Sequence, residues 1–345
     1  MARASNATAA GRRVTSHDVA ARAGVSQATV SLVFSGTATT RVSAATRERV
    51  LEAARALGYE PNAVARALAQ GRTSTVGIVI PALRDPFFLD AVTGARRVLT
   101  RRGFAAIVAE AEEASAEGTI SMLRGRQIDG LLIDAVGLSS VEAEALDGLR
   151  VVLIDDHSER FPGVVSDAEE AGRLVGRHLV GLGHRRIGYL GPLADAQALR
   201  LRERGFARAL REAGVVPRSE HVRRVPATTD GGRAGMQSLL ALAEPPTAIF
   251  CGTDLIALGA LKTCARAGIA VPERVSIVGC GDIESASLVT PELTTVNLRP
   301  QELGARAARL LLDVVDGRLP RASRKPLGVD LMVRGTTAPP PTETT

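Results

Sequence analysis

The 345-residue sequence predicts an all-α head followed by an α/β core of two lobes with parallel sheets. Three observations carry this. Residues 14–57 place apolar side chains at helical spacing. From Thr73 onward, apolar strand-like runs alternate with helical runs, the pattern of parallel sheets. That rhythm occurs twice, near 73–165 and again near 167–295.

The head comes first. Val14 to Gly36 reads VTSHDVAARAGVSQATVSLVFSG, two short helices joined by a tight turn at Gly24-Val25-Ser26. Thr15 caps the first helix, with Asp18 three residues on, a capping-box arrangement. Ser26 caps the second. Val19, Ala20, Ala23, Val25, Val30 and Val33 form one small shared core. Two helices crossing through a short turn make the helix-turn-helix shape, which lays its second helix in the DNA major groove. A small helical bundle with capped helices and a glycine turn is the other reading. A third helix runs from the cap Ser43 to Leu57, with Val50, Leu51, Ala54 and Leu57 as its stripe and Gly58 as its end. Pro61 then opens the run NAVARALAQ, closed by Gly71. This run is too short for a stable helix alone and needs DNA or a second subunit to fold on.

Charge separates the two readings of the head. Residues 1–72 hold ten Arg, no Lys and four acids, a formal +6. The remaining 273 residues hold 33 basic and 33 acidic groups. The whole excess therefore sits on the helical segment, where a module that neutralises DNA phosphates should carry it.

In the core, the strand-like runs are VGIVIPAL, FAAIVAEA, GLLID, VVLIDD, RIGYLG, AIFCGT and VSIVGCG. Between them lie the helical runs AVTGARRVLTRRG, EGTISMLRGRQ, RLVGRHLVGLG, LRERGFARALREAG and DLIALGALKTCARAG. Ligand crevices are expected at the C-terminal ends of such strands, in a cleft between the lobes. No Gly-x-Gly-x-x-Gly follows a strand and no Gly-Lys-Ser/Thr loop is present, which disfavours dinucleotide and P-loop enzymes. No nucleophile–base set or metal-ligand cluster stands out, so neither cofactor nor metal is expected. No run of 18 apolar residues spans a membrane. The start, MARASNATAAGRR, lacks an apolar h-region and reads as a disordered basic lead-in. Cys251, Cys264 and Cys280 read as reduced, buried thiols of a cytoplasmic, nucleoid-associated chain. TTAPPPTETT reads as a disordered low-complexity tail.

Nine motifs occur in a telling order: DVAARAGVSQATVS, VSAATRERVLEAARALGYEPNAVARAL, GRTSTVGIVIP, DPFF, GHRRIGYLG, RERGF, TDLIALGAL, VSIVG and PELTTV. With them the chain resembles the LacI/GalR family of bacterial transcription regulators over about residues 14–337. The resemblance implies a DNA-binding head, a hinge helix, and a dimerising core of two periplasmic-binding-protein-like lobes that senses a small molecule. It divides the chain into a disordered basic tail (1–13), head (14–60), hinge helix and linker (61–72), core (73–337) and disordered tail (338–345). Lobe 1 takes about 73–166 plus 298–325, and lobe 2 about 167–297 plus 326–337.

The resemblance also implies roles. Gln27, Ala28, Ser31 and Leu32 face base edges in the major groove. Gln reads adenine, while Ala and Leu touch a thymine methyl or exclude a base. Many relatives carry Arg where this chain has Leu32; the other reading turns Leu32 into the head's core. Arg22, Ser26 and Thr29 meet phosphates. Ala65, Arg66, Leu68 and Ala69 belong to the minor-groove hinge, with Leu68 as the wedge between base pairs. Asp85, Phe87, Arg202, Asp254 and Asp282 are the implied effector contacts. A guanidinium with carboxylates suits vicinal hydroxyls, as in a sugar or sugar derivative. Each carboxylate has a second reading as a helix cap, Asp254 directly before LIALGAL above all, and Asp282 nearly as readily as a ligand contact. Relatives often place an aromatic where this chain has Pro226-Ala227-Thr228, so a sugar-stacking platform is missing. His157, His184 and His221 read as surface residues or ligand contacts.

The expected protein is a ligand-responsive transcriptional repressor. It binds a pseudo-palindromic double-stranded DNA operator as a homodimer, with no membrane partner. A solute-binding transport protein is the other class considered, but that needs a signal peptide and no DNA head. The absence of a C-terminal leucine heptad favours a dimer over a tail-bundled tetramer.

Overall fold

The computed structural model describes residues 14–34, 42–60, 71–111, 116–134, 141, 143–156, 158, 160–318 and 325–342. The basic lead-in, the hinge residues Ala65, Arg66, Leu68 and Ala69, and His157 lie outside the described residues. The head, up to Ser74, and the core, from Thr75, are separate compact units.

The head is three helices: α1 (Ser16–Ala23), α2 (Gln27–Phe34) and α3 (Ala44–Leu57). Their ends are fixed by local chemistry. The Asp18 N–H donates to Thr15 Oγ1, and the Thr15 N–H donates to the Asp18 carboxylate at 2.9 Å, which closes the capping box. Gly24 takes φ +64°, the left-handed turn that lets α2 leave α1 at once. Ser26 Oγ accepts from the Thr29 N–H, and Ser43 Oγ from the Thr46 N–H. Val19, Ala20, Ala23, Val30, Val33, Val50, Ala53 and Ala54 form the buried core. These side chains are small, so three short helices can pack closely.

The core holds two sheets. The lobe 1 sheet runs β2–β1–β3–β4–β5, with β1 at Thr75–Ile80, β2 at Ala105–Glu110, β3 at Gly130–Asp134, β4 at Val151–Ile154 and β5 at Gly163–Val164. All its pairings are parallel. Alternation along the strands feeds both faces. Val76, Ile78, Ile80, Leu132 and Val152 pack beneath α4 (Pro86–Arg101) and α10 (Pro300–Val315). Val79, Leu131, Ile133 and Val151 pack on α5 (Ala116–Gly125).

The lobe 2 sheet runs β11–β10–β9–β8–β6–β7. Its strands are β6 (Ile187–Pro192), β7 (Val222–Val225), β8 (Ala248–Cys251), β9 (Ser276–Gly281), β10 (Thr294–Asn297) and β11 (Asp330–Met332). Its helices are α6 (Ala168–Gly181), α7 (Gln197–Glu212), α8 (Thr229–Leu240) and α9 (Asp254–Arg266). One departure from a purely parallel sheet is β11, which pairs antiparallel with β10 at the edge. The chain passes between the lobes three times, and the passage after β10 bends through a left-handed non-glycine residue, Arg299 (φ +53°); Asp155 (φ +55°), at the end of β4 within lobe 1, is left-handed too. In the third passage Leu327 packs into the lobe 1 core and bridges to Ser166.

Three helix pairs close on reciprocal glycines. A Cβ on Gly94 of α4 would strike the Gln301 carbonyl of α10, and one on Gly304 would strike the Ala91 carbonyl. Gly172 of α6 and Gly205 of α7 stand in the same relation to the carbonyls of Arg202 and Glu169. Gly232 of α8 and Gly259 of α9 repeat it with Ile256 and Thr229. Each pair thus meets backbone to backbone.

Two expectations need correction. The chain does not fall into a disordered tail at 338. The Ala338 N–H donates to Ser276 Oγ at 3.1 Å, and its carbonyl accepts from His184 Nε2 at 2.9 Å. His184 and His221 are not surface residues. His184 is 0 % exposed and also bonds Thr247 Oγ1, while His221 Nε2 donates to the Glu244 carbonyl. Both are buried histidines of lobe 2; His184 has both ring nitrogens bonded, while His221 Nδ1 has no partner among the described residues. Cys251, Cys264 and Cys280 are free and buried. Among the described residues no helix is long and apolar enough to cross a membrane.

Gly304→Ala should force α10 off α4. Unfolding midpoints in urea should report a loss of about 1–3 kcal/mol. An unchanged midpoint would mean that the close approach is not needed.

Candidate ligand cavity and DNA-reading face

A cavity of about 320 Å³ lies at the C-terminal ends of the strands of both sheets. Lobe 1 contributes Asp85, Phe87 and Phe88 from the start of α4, and Asp155 from the end of β4. Lobe 2 contributes Leu199 and Arg202 from α7, Thr253 and Asp254 from the start of α9, Cys280 from the end of β9 and Ile283 just after it. Parallel strands leave their C-terminal loops on one side, which is why residues far apart in sequence converge there. Most of the wall is apolar.

The polar groups are held one by one. Asp85 caps α4 and accepts from the Phe87 N–H at 3.0 Å. Burial pushes its carboxyl above the ordinary range, and that backbone bond partly offsets the shift. Arg202 is 4 % exposed and donates to the Gly252 carbonyl at 2.6 Å. Its Nε is buried and has no partner among the described residues. Asp254 is 1 % exposed and accepts from Thr295 Oγ1 at 2.5 Å and from the Ile283 N–H at 2.9 Å. Burial pushes it up to about 6, against the pull of those two donors. The cap of α9 is Thr253, whose side chain accepts from the Ile256 N–H. The capping reading of Asp254 therefore falls.

Asp282 is a correction. It does not line the cavity. With φ at +53°, it directs Oδ1 to the Arg334 guanidinium at 2.7 Å and accepts from Asn297 Nδ2 on Oδ2 at 2.9 Å. Its carboxylate is already neutralised. Asp155 takes a place that sequence reasoning missed. It is buried, and its Oδ1 accepts both the Ser166 N–H (2.9 Å) and the Ser166 Oγ–H (2.6 Å). The available signal was the acid pair ending the run VVLIDD. Phe87 packs edge-on to Phe88, with ring centroids 5.5 Å apart. Ala227 lines the wall where an aromatic is absent, and Thr228 caps α8 instead. Cys280 also faces the cavity; burial pushes its thiol up to about 12, with Arg202 pulling it down.

On the head, Gln27, Ala28 and Ser31 lie exposed along α2, while Leu32 is half-buried. The half-buried side chains packed on the head core are Val25, Phe34, Val42, Leu51, Leu57 and Tyr59, and Leu32 is not among them. Gln27 Nε2 donates to Ser16 Oγ of α1 at 2.8 Å. Arg22 and Ser26 are exposed at the turn, where Ser26 Oγ also bonds Thr29 Oγ1. Helix α2, QATVSLVF, carries no charge.

Two family descriptions match this chain. "Bacterial regulatory proteins, lacI family" covers residues 15–62, and "Periplasmic binding protein-like domain" covers 177–337. The HTH-type transcriptional repressor CytR of Escherichia coli K12 is 33% identical over 330 residues, 94% of this chain and 96% of that protein. The chain belongs to the lacI family. Another lacI-family relative, the repressor PurR of Mannheimia succiniciproducens, is 32% identical over 303 residues, 86% of this chain and 90% of its own. Among solved structures, the lac repressor dimer bound to operator and the anti-inducer ONPF has a TM-score of 0.81 at 29% identity, covering 95% of this chain and 100% of its own. The cellobiose complex of the regulator CelR has a TM-score of 0.71 at 33% identity, covering 94% and 100%. This lacI-family chain is a DNA-binding transcriptional regulator with an effector-binding core.

Asp254 gives a pH test. Its folded carboxyl holds a proton up to about 6, while the unfolded one releases it near 3.8. The native state therefore binds more protons between those values, and stability falls as pH rises through this window. Asp254→Asn removes that component. The wild type should lose thermal midpoint relative to the variant between pH 4 and 7; a constant difference would contradict the assignment.

Proposed function

We propose that this regulator is a repressor that grips a pseudo-palindromic operator as a homodimer, in the cytoplasm, under control of a small molecule held between the lobes. It performs no chemistry on that molecule. The observation that carries the reading is Arg202, a buried guanidinium with an unpartnered Nε, on a residue that lines a cavity walled by both lobes. A ligand acceptor completes it. A ligand that also meets Asp85 or Phe87 links lobe 2 to lobe 1 and favours one lobe arrangement over another. That differential affinity is what couples a ligand to DNA binding. The relative CelR has been seen with cellobiose, and a lacI-family regulator of Enterococcus faecium with ribose. Both support a sugar or sugar derivative as the effector.

On DNA, Gln27 reads adenine, and Ala28, Ser31 and Leu32 complete the major-groove face. Arg22, Ser26 and Thr29 set the register on phosphates. An uncharged α2 leaves specificity to apolar contacts and to bending. In this reading Ala65, Arg66, Leu68 and Ala69 enter the minor groove, with Leu68 unstacking the central step.

Arg202→Ala should weaken binding of any sugar that raises the wild-type melting midpoint by about 10-fold or more, the scale of a lost charged hydrogen bond. The variant should still retard operator DNA. A retained sugar response would remove Arg202 from the site. Leu68→Ala should lower operator affinity several-fold in gel shift, and unchanged affinity would end the wedge role.

A further inference from the structure

Asp85, Asp155 and Asp254 share one cavity with a single guanidinium, that of Arg202. All four groups are buried. The carboxylates are met by neutral donors: Asp85 by the Phe87 N–H, Asp155 by Ser166, and Asp254 by Thr295 and the Ile283 N–H. Arg202 donates to the Gly252 carbonyl, not to a carboxylate. The contrast is Asp282, outside the cavity, which is neutralised by Arg334. The cavity therefore holds an excess of negative charge that no described cation answers.

The vacant hydrogen-bonding capacity is also arranged by lobe. Among the described residues, Asp85 and Asp155 are each engaged through Oδ1, which leaves the Oδ2 atoms of lobe 1 as acceptors. Arg202 Nε leaves one donor on lobe 2. Phe87, Phe88, Leu199 and Ile283 make the remaining wall apolar.

We propose that the cavity takes an uncharged ring compound with an apolar face, which gives two O–H or N–H donors to Asp85 and Asp155 and one acceptor to Arg202, and that it rejects the phosphate ester of the same compound. This rests on reading the cavity as the effector site. An added phosphate would set like charges together in a space of low dielectric, where repulsion is strong. The volume is at the small end of ligand cavities, roughly 300–1,000 Å³, which suits a single sugar ring or a nucleoside. Both sources share the chemistry. Asp155 thereby becomes a ligand contact that also clamps the first interlobe passage through Ser166.

The test uses the full-length protein and matched pairs: ribose with ribose 5-phosphate, glucose with glucose 6-phosphate, adenosine with its 5′-monophosphate, cytidine with its 5′-monophosphate. Thermal shift and titration calorimetry should find a neutral member that binds, with its phosphate partner at least about 10-fold weaker. The member that binds distinguishes sugar from nucleoside. Asp155→Asn should weaken the neutral ligand by about 10-fold or more. Asn tolerates the left-handed backbone and keeps an acceptor for Ser166, so the fold survives. A phosphate ester that binds as tightly as its parent overturns the proposal, as does a panel with no neutral binder. Gel shift on the same preparation separates the failures. If DNA is retarded while the esters bind, only the ligand class is wrong; if DNA is not retarded, the regulator reading falls.

Discussion

Close backbone contact between paired helices is the constraint on which this core depends. Gly94 with Gly304, Gly172 with Gly205, and Gly232 with Gly259 each remove two Cβ atoms from a crossing. The helices then settle at a distance that carbonyl oxygens, not side chains, decide. Each of these crossings seats a helix that carries part of the cavity. Helix α4 brings Asp85 and Phe87, α7 brings Arg202, and α9 brings Asp254. Gly172 lies directly over the Arg202 carbonyl, so the guanidinium is positioned by a residue that never meets a ligand. Ligand groups held to a fraction of an ångström need rigid supports of this kind.

The cavity works against its own stability. A buried arginine with one nitrogen unpaired, and carboxyls pushed up by burial, are costs that a packed apolar interior would avoid. In the proposed reading, a bound molecule satisfies them. The left-handed Asp155 adds local backbone strain at the end of β4, beside the cavity.

Much of this was legible in sequence. Caps at Thr15, Ser26 and Ser43 act within three residues, so their partners are visible in the string itself. The seven apolar strand runs were equally plain, since strands buried on both faces become continuous apolar words. Strands β5, β7, β10 and β11 were not; they are short, and VRRV and TTVN carry no apolar run. Helix α8 hides behind Gly231, Gly232 and Gly235, which weaken any helical signal. The site split along the same line. Asp155 and Asp282 both follow apolar strands. Only the distant partners Ser166 and Arg334 decide that one faces the cavity and the other is neutralised away from it.

The seating of α10 on α4 bears on how the chain is made. Lobe 1 opens at Thr75 but lacks one of its covering helices until Val315 has been synthesised. The head needs nothing beyond Tyr59 for its own small core. At about 5–20 residues per second, the interval between the two events is roughly 10–50 s. Throughout that interval a ribosome carries a complete DNA-reading head and an unfinished sensor. A chain released early, by a premature stop within the last third of the gene, would keep the folded head and lose the finished sensor.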